Sequence, residues 1–270
     1  MIDQDTSEIT SSPPVHRWVD RGTHYEHLAK QQTKAWLAAK NGRLTASNFA
    51  ASVGHSRFTT PDQLRDRMVR TAQGEEISIL NDLELTPDQI EELKANLERG
   101  NIHEEMIREY CRRIFQREFR NPGLFVSKQD TQLGCSYDVE YLDNPEWMME
   151  IKSTKKVSEQ LFVRSWTHTR EQFVADGIKV CMLKPFETTW NKEKNEHYLP
   201  WYIYLEHYDQ MQGSMIIGNR KWCNYSVFSE GCLYMEPVEV NKVYWENELL
   251  PGIQKFQQTL PIMSRLEPNI

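Results

Sequence analysis

A chain of 270 residues fits one large domain or two small ones, and its 39% apolar and 26% charged residues are those of a globular protein with a substantial core. No apolar run approaches the ~18 residues of a membrane span, and the acidic opening Met1-Ile2-Asp3-Gln4-Asp5 has no apolar signal core, which points to an intracellular protein of the cytoplasm or nucleus. The net charge of −7 argues against a nucleic-acid binder, and the five scattered cysteines argue against zinc, iron–sulfur and disulfide frameworks.

Residues 1–24, with Ser11-Ser12-Pro13-Pro14, read as a flexible arm, and 25–270 as a single domain. The spacing of Leu28, Gln32, Ala35, Trp36 and Ala39 predicts a helix over Tyr25–Ala39, stopped by Asn41-Gly42. Thr45 or Ser47 can cap a short helix, Asn48–Val53, that ends at Gly54. Lys40 and Arg43 stand just before it, so this helix start could seat a phosphate; an ordinary capped helix explains the same residues. Thr60-Pro61 opens a helix reaching Thr71, and residues 73–84 read as an acidic loop. Thr86-Pro87 starts another helix, through Leu97, and Gly100 predicts a break before Ile102–Phe115. Most of the negative charge lies here. Residues 75–105 hold ten acids and two bases, which leaves the remainder near +1, and the arginines 108, 112, 113, 117 and 120 follow directly. A local basic face can therefore still meet phosphate. Glu104 lies close to the apolar stripe of Met106, Ile107 and Cys111, where a carboxylate wants a metal or an arginine at the helix edge.

Strands fill 119–142, broken at Asn121-Pro122-Gly123 and Gly134. A helix is expected over Val157–Ala175, a strand over Ile178–Leu183, and a polar loop with Lys184, Trp190, Lys192 and Lys194 over 184–197. A buried helix follows over Tyr202–Ile217, then strands Lys221–Phe228 and Gly231–Val238, and a last helix capped by Asn241 and reaching Thr259. The order predicts an α/β fold with one mixed central β-sheet flanked by helices.

The stretch Asp138–Lys152 carries the chemistry. Val139–Leu142 and Trp147–Ile151 flank Asp143-Asn144-Pro145-Glu146, so it reads as a β-hairpin. Alternation puts Met148, Glu150 and Lys152 on one face and Trp147, Met149 and Ile151 on the other. A turn centred near Asn144 sets Asp138 opposite Glu150, with Cβ atoms ~5 Å apart. Two adjacent carboxylates repel unless a cation joins them, and Mg²⁺ takes hard oxygen ligands while keeping waters that a phosphate can replace. A neighbouring lysine can orient the attacking water. A surface hairpin with a cross-strand salt bridge is the plainer alternative.

Taken in order, Leu44-Thr45-Ala46-Ser47, Arg99-Gly100 with Glu104, Gly134-Cys135-Ser136-Tyr137-Asp138, Glu150-Ile151-Lys152 and Tyr208-Asp209-Gln210-Met211-Gln212 resemble the lambda-type exonuclease family. These are the YqaJ-like viral recombinases, within the PD-(D/E)xK nuclease superfamily. The resemblance spans about residues 36–230. It implies a restriction-endonuclease-like core and a metal-dependent deoxyribonuclease, a 5′-to-3′ exonuclease on duplex DNA ends acting in recombination. It also implies Mg²⁺, with Mn²⁺ as a substitute, held by Asp138, Glu150 and the Ile151 carbonyl. Glu104 would complete the acidic cluster, Lys152 would activate the water and Gln210 would support it. Lys40 or Arg43, with Thr45 and Ser47, would hold a 5′-phosphate or the DNA backbone. A single-strand annealing protein as partner and a homotrimer belong to the same implication. An endonuclease on DNA or RNA, and a nucleic-acid-binding protein with a vestigial site, are the alternatives. The family's Ser-Pro-Asp-Gly is replaced here by Ser136-Tyr137-Asp138-Val139, and the position of a further family acid falls at Lys128, with Asp130 nearest.

Overall fold

A computed structural model describes residues 18–75, 86–153, 179–180, 203–229, 232–261 and 268. In chain order the elements are β1 (Trp18–Asp20), β2 (His24–His27), α1 (Lys34–Lys40), β3 (Leu44–Thr45), a 3₁₀ turn (Ala46–Asn48), α2 (Phe49–Ser52), α3 (Pro61–Ala72) and α4 (Pro87–Phe115). There follow β4 (Phe119–Arg120), β5 (Leu124–Ser127), β6 (Leu133–Cys135), β7 (Val139–Tyr141), β8 (Trp147–Ser153), β9 (Lys179–Val180) and α5 (Leu205–Gly218). The chain then adds β10 (Trp222–Ser229), β11 (Cys232–Glu239), α6 (Lys242–Tyr244), a π-helical turn (Trp245–Leu249) and α7 (Leu250–Gln257).

The α/β class holds, but the strands divide between two sheets instead of one. Five run β1-β2-β5-β6-β3 and six run β4-β7-β8-β10-β11-β9. The division falls at Pro122-Gly123, between β4 and β5. A Cβ on Gly123 would lie 1.7 Å from the His27 carbonyl oxygen, so only glycine lets the chain pass from one sheet to the other there.

The hairpin of β7 and β8 pairs Val139 with Met149 and Glu140 with Met148, the register read from the sequence. Strand β8 is central. Its Met148 side packs into the larger core with Met211 and Met215 of α5, while Met149 and Ile151 pack with Ile107 and Cys111 of α4. On the other edge β8 pairs parallel with β10, setting Tyr225 beside Glu150 and Val227 beside Lys152. Helix α5 lies close on the chain around Ser47. A Cβ on Gly213 would come within 2.3 Å of the buried Phe49 ring, so the missing side chain admits that ring against the helix backbone.

Several expectations need correction. The helix over Tyr25–Ala39 is confined to Lys34–Lys40, because His24–His27 pair as a strand with β5 and Gln32 adopts a left-handed φ of 65°. The arm expected over 1–24 gives way at Trp18, where β1 pairs with β2; residues 1–17 lie outside the described residues. Gly100 does not break α4, which runs unbroken from its Thr86–Gln89 capping box to Phe115. Glycine there costs ~1 kcal/mol against alanine, which a long helix absorbs. The short helix expected over Asn48–Val53 is a 3₁₀ turn followed by one turn of α-helix, ended by Gly54 at φ 81°. The expected helix Val157–Ala175 and loop 184–197 lie outside the described residues. The buried helix α5, the strands β10 and β11, and the Asn241 cap, which accepts from the Tyr244 amide at 2.9 Å, stand as expected.

Candidate active site

Strand alternation delivers Glu150 and Lys152 to the α5 side of β8, and the hairpin register delivers Asp138 beside them. The Asp138 amide donates to the Met149 carbonyl (3.2 Å), and its Oδ2 accepts from the Ile151 amide (2.6 Å). Lys152 Nζ lies 2.7 Å from Glu150 Oε1 and 2.9 Å from Gln210 Oε1; Gln210 Nε2 donates back to Glu150 Oε1 at 2.5 Å. Gln210 thus fixes both side chains from α5.

The charges do not balance. Glu150 is 2% exposed, and its Oε2 is buried with no hydrogen-bond partner. Burial, then the Asp138 carboxylate, push its proton affinity up to about 7. Burial also raises Asp138, against the pull of Lys152 and the Ile151 amide. Burial works to lower Lys152, but Glu150 and Asp138 outweigh it and hold the ammonium above its usual range. One ammonium faces two acids, since the Arg108 guanidinium that also draws on Asp138 is paired with Glu104 and Glu105, and one carboxylate oxygen is uncompensated. Two hard-oxygen donors with that deficit fit a divalent cation such as Mg²⁺ or Mn²⁺.

Glu104 is not brought into this pair. Arg108, one turn on, takes its carboxylate and also donates to the Asp138 carbonyl oxygen at 3.2 Å. Among the described residues no group of three or more His, Cys, Asp and Glu gathers to hold a metal. Asp130 is committed elsewhere, accepting from the Gln132 amide (2.9 Å) and Gln257 (2.8 Å), and Lys128 pairs with Asp20 at 2.5 Å.

A family model described as YqaJ-like viral recombinase domain matches residues 35–180, more than half of the chain. The chain belongs to this family. Two solved structures share the fold. One is LHK-Exo in complex with dAMP, 19% identical, with 84% of this chain and 91% of that chain covered and a TM-score of 0.54. The other is the alkaline exonuclease LHK-Exo from Laribacter hongkongensis, 18% identical over the same shares, with a TM-score of 0.53. The likeness carries the restriction-endonuclease-like fold. A search of curated proteins finds no match.

In this YqaJ-like chain the expected phosphate residues separate. Arg43 is buried, its Nε donating to the Thr131 carbonyl at 2.9 Å and its Nη1 to the Ala39 carbonyl at 2.5 Å, so its guanidinium is spent on the backbone. The same guanidinium lies 5.3 Å from the Trp18 ring centroid. Thr45 is buried, with its hydroxyl 3.2 Å from that of Ser47, which is exposed. Lys40 lies 5.0 Å above the Trp36 ring, and burial, then Arg67, hold it below its usual proton affinity. Trp36 in turn donates to Ser136 Oγ at 3.2 Å, two residues before Asp138.

Sequence reading left one support of the site open, as an arginine at the helix edge, and missed another. Arg108 stands in the arginine run, and its i,i+4 spacing from Glu104 was the available signal. His207 has no such signal. It lies three residues before Gln210, with Nδ1 2.8 Å from Tyr225 Oη, and burial, then the Lys152 ammonium, keep it neutral by pushing it down to about 2.

Proposed function

We propose that this chain is a metal-dependent nuclease that hydrolyses phosphodiester bonds, working as a 5′-to-3′ exodeoxyribonuclease from duplex ends. One observation carries the reading: Asp138 and Glu150 are held together on a hairpin with one lysine between two acids and a buried, unsatisfied Glu150 Oε2. Asp138, Glu150 and the Ile151 carbonyl would hold a divalent ion, Mg²⁺ or in its place Mn²⁺. When bound, such an ion lowers the pKa of its water and screens the phosphate charge.

The chain's own residues do the rest. Lys152, fixed by Glu150 and Gln210, orients the attacking water and balances negative charge as it builds on the phosphate. Gln210 keeps Lys152 and Glu150 in one geometry, which removes the cost of arranging them at each turnover. The exposed Ser47 hydroxyl and the Lys40 ammonium serve the terminal 5′-phosphate. The family's description as a viral recombinase, and the name and bound dAMP of the solved relatives, support DNA as substrate and recombination as setting. A single-strand annealing protein and a homotrimer belong to the same proposal, and light scattering on the eluting protein tests the latter.

The experiment is a time course on end-labelled linear duplexes carrying 5′-phosphate or 5′-hydroxyl, beside a closed circle, with Mg²⁺ or with EDTA. Mononucleotides should leave the 5′ end only with the metal. The 5′-phosphate should speed this about tenfold or more, as a charge-assisted contact of ~1.5–3 kcal/mol requires. Rapid cutting of the closed circle would replace the exonuclease with an endonuclease. No hydrolysis with either metal would remove the nuclease.

A further inference from the structure

Beside the acidic pair lies a cluster that the hydrolytic chemistry does not use. Phe58 and Tyr204 leave 71% and 52% of their surfaces exposed. Single exposed rings need no explanation, but these two share one cation. The Arg57 guanidinium carbon lies 3.7 Å from the Tyr204 ring centroid and 5.1 Å from that of Phe58. Glu206 fixes that guanidinium, accepting from Arg57 Nε at 3.1 Å and Nη2 at 2.5 Å, while the Arg57 amide donates to the other carboxylate oxygen at 3.3 Å. The result is a flat, part-aromatic surface with a guanidinium plane fixed in it by an ion pair.

This surface is joined to the active site. Tyr204 precedes the first turn of α5, and its ring meets His207 edge-on at 5.5 Å. His207 reaches Tyr225, and Tyr225 pairs in register with Glu150. Tyr204, His207 and Gln210 are spaced by three, so they follow one side of the helix over about 9 Å of its axis. That is the span of a few nucleotides, taking ~3.4 Å for each stacked step along a strand.

We infer that Phe58, Arg57 and Tyr204 form a stacking shelf for a nucleobase of the strand being hydrolysed, placed within a few nucleotides of the Asp138–Glu150 pair. The inference rests on the nuclease reading for its substrate and adds the part of that substrate the shelf touches. Aromatic faces and a guanidinium plane stack bases of any sequence, because every base has a π-face. A cationic ligand in an aromatic cage is the obvious rival for two exposed rings. Here the Arg57 guanidinium already occupies the cation position over both rings, so a second cation finds that position taken. A flat uncharged ring suits the ring faces that remain exposed.

The test separates base contact from cleavage. In EDTA, fluorescence anisotropy measures the full chain binding a labelled single-stranded oligonucleotide and the same oligonucleotide with abasic residues throughout. Wild type should bind the base-bearing strand about tenfold or more tightly, the size of one to two stacked bases. Phe58→Ala and Tyr204→Ala should each lose most of that ratio, and Tyr204→Phe should keep it. Thermal melts of each variant check folding, which an exposed Phe58 makes a mild demand. Glu150→Gln should slow cleavage by about 10²–10³ and keep the ratio. A wild type that cleaves DNA yet binds both oligonucleotides alike overturns the shelf while leaving the nuclease intact. A protein that keeps the ratio but shows no cleavage leaves the shelf standing and removes the nuclease.

Discussion

The two ends of the β7–β8 hairpin each bury a charge cluster, and the clusters are built to opposite accounts. At the turn end, Glu26 is fully buried and accepts from Arg120 (2.6 and 3.0 Å), Arg21 (2.8 Å) and the Gly123 amide (3.3 Å). Glu140 is shared by Arg120 and Arg220, and Arg220 Nε donates to Tyr137 Oη at 2.9 Å. Three arginines answer two carboxylates. Burial works to raise Glu26, but Arg120 and Arg21 outweigh it and hold the acid below its usual range. At the other end, one lysine answers two carboxylates, Glu150 is pushed up to about 7, and an oxygen goes without a partner. The first cluster carries more cations than acids, although Glu140 Oε2 is also buried without a hydrogen-bond partner, and it ties β2 of one sheet to β4 and β7 of the other. The second is deficient by about one positive charge, which is what a cation-binding site requires before the cation arrives. Burial of charge alone does not distinguish structure from function; the balance does.

Breaking the balanced end should give the largest change in stability. Glu26→Gln leaves the half-buried Arg120 and the exposed Arg21 against a neutral amide, which costs about 1–3 kcal/mol, less than a fully buried broken pair because water reaches both guanidinium groups. Urea unfolding should show that loss, while turnover per folded molecule stays near wild type. A loss below ~1 kcal/mol would mean that the arginines are already fully solvated. The deficient end should respond the other way round. Glu150→Gln removes a charge that the fold already disfavours. A raised carboxyl means stability falls as pH rises through about 7, so the variant should be at least as stable as wild type at pH 8 without metal. Its cleavage rate should nonetheless fall by about 10²–10³. Lys152→Ala should lose turnover on the same scale while keeping its affinity for DNA. If DNA affinity falls and turnover per bound complex survives, Lys152 is a phosphate contact only.

The two clusters also differ in how far sequence could show them. The deficient end was legible because its members sit on one hairpin: alternation and the turn position set Asp138 beside Glu150, and the register is the observed one. Gln210 entered through the family pattern, since nothing in a buried helix marks one glutamine over another. The balanced end was invisible. Glu26 and Arg120 are 94 residues apart, and Arg220 and Glu140 are 80, and no local period links them. Long-range pairing also explains one misread helix. Tyr25–Ala39 has helical spacing, but β5 claims His24–His27 through hydrogen bonds that sequence spacing cannot see. Arg43 carries a constraint of the same long-range kind. A basic residue before a helix start looks like a phosphate contact, and its spacing does not show that the carbonyls of Ala39 and Thr131 accept from it.

The smallest effect expected is a pH dependence at the turn end, and it tests whether burial and the three arginines there hold His24 neutral. His24 is 4% exposed, its Nδ1 3.0 Å from the Thr23 hydroxyl and its ring edge-on to Phe125 at 4.5 Å. The charged groups facing it are Arg220, Arg21 and Arg120, with Glu26 alone opposing them. Burial first, and Arg220 next, push its proton affinity down to about 4, from the usual 6.5. The folded state therefore keeps His24 neutral where the unfolded chain takes a proton. Its contribution is whole above pH ~6.5 and is lost as pH falls from there toward 4, amounting to about 1–2 kcal/mol at pH 5. Many carboxylates also titrate near that range, so wild type alone cannot report it. His24→Gln removes the titrating group and keeps a polar side chain. Unfolding both proteins in urea at pH 7.5 and pH 5 should show wild type losing about 1–2 kcal/mol more than the variant across the interval. Equal losses would mean that His24 accepts its proton in the fold as readily as in the open chain. The burial and the arginine field that hold His24 neutral would then have to be withdrawn.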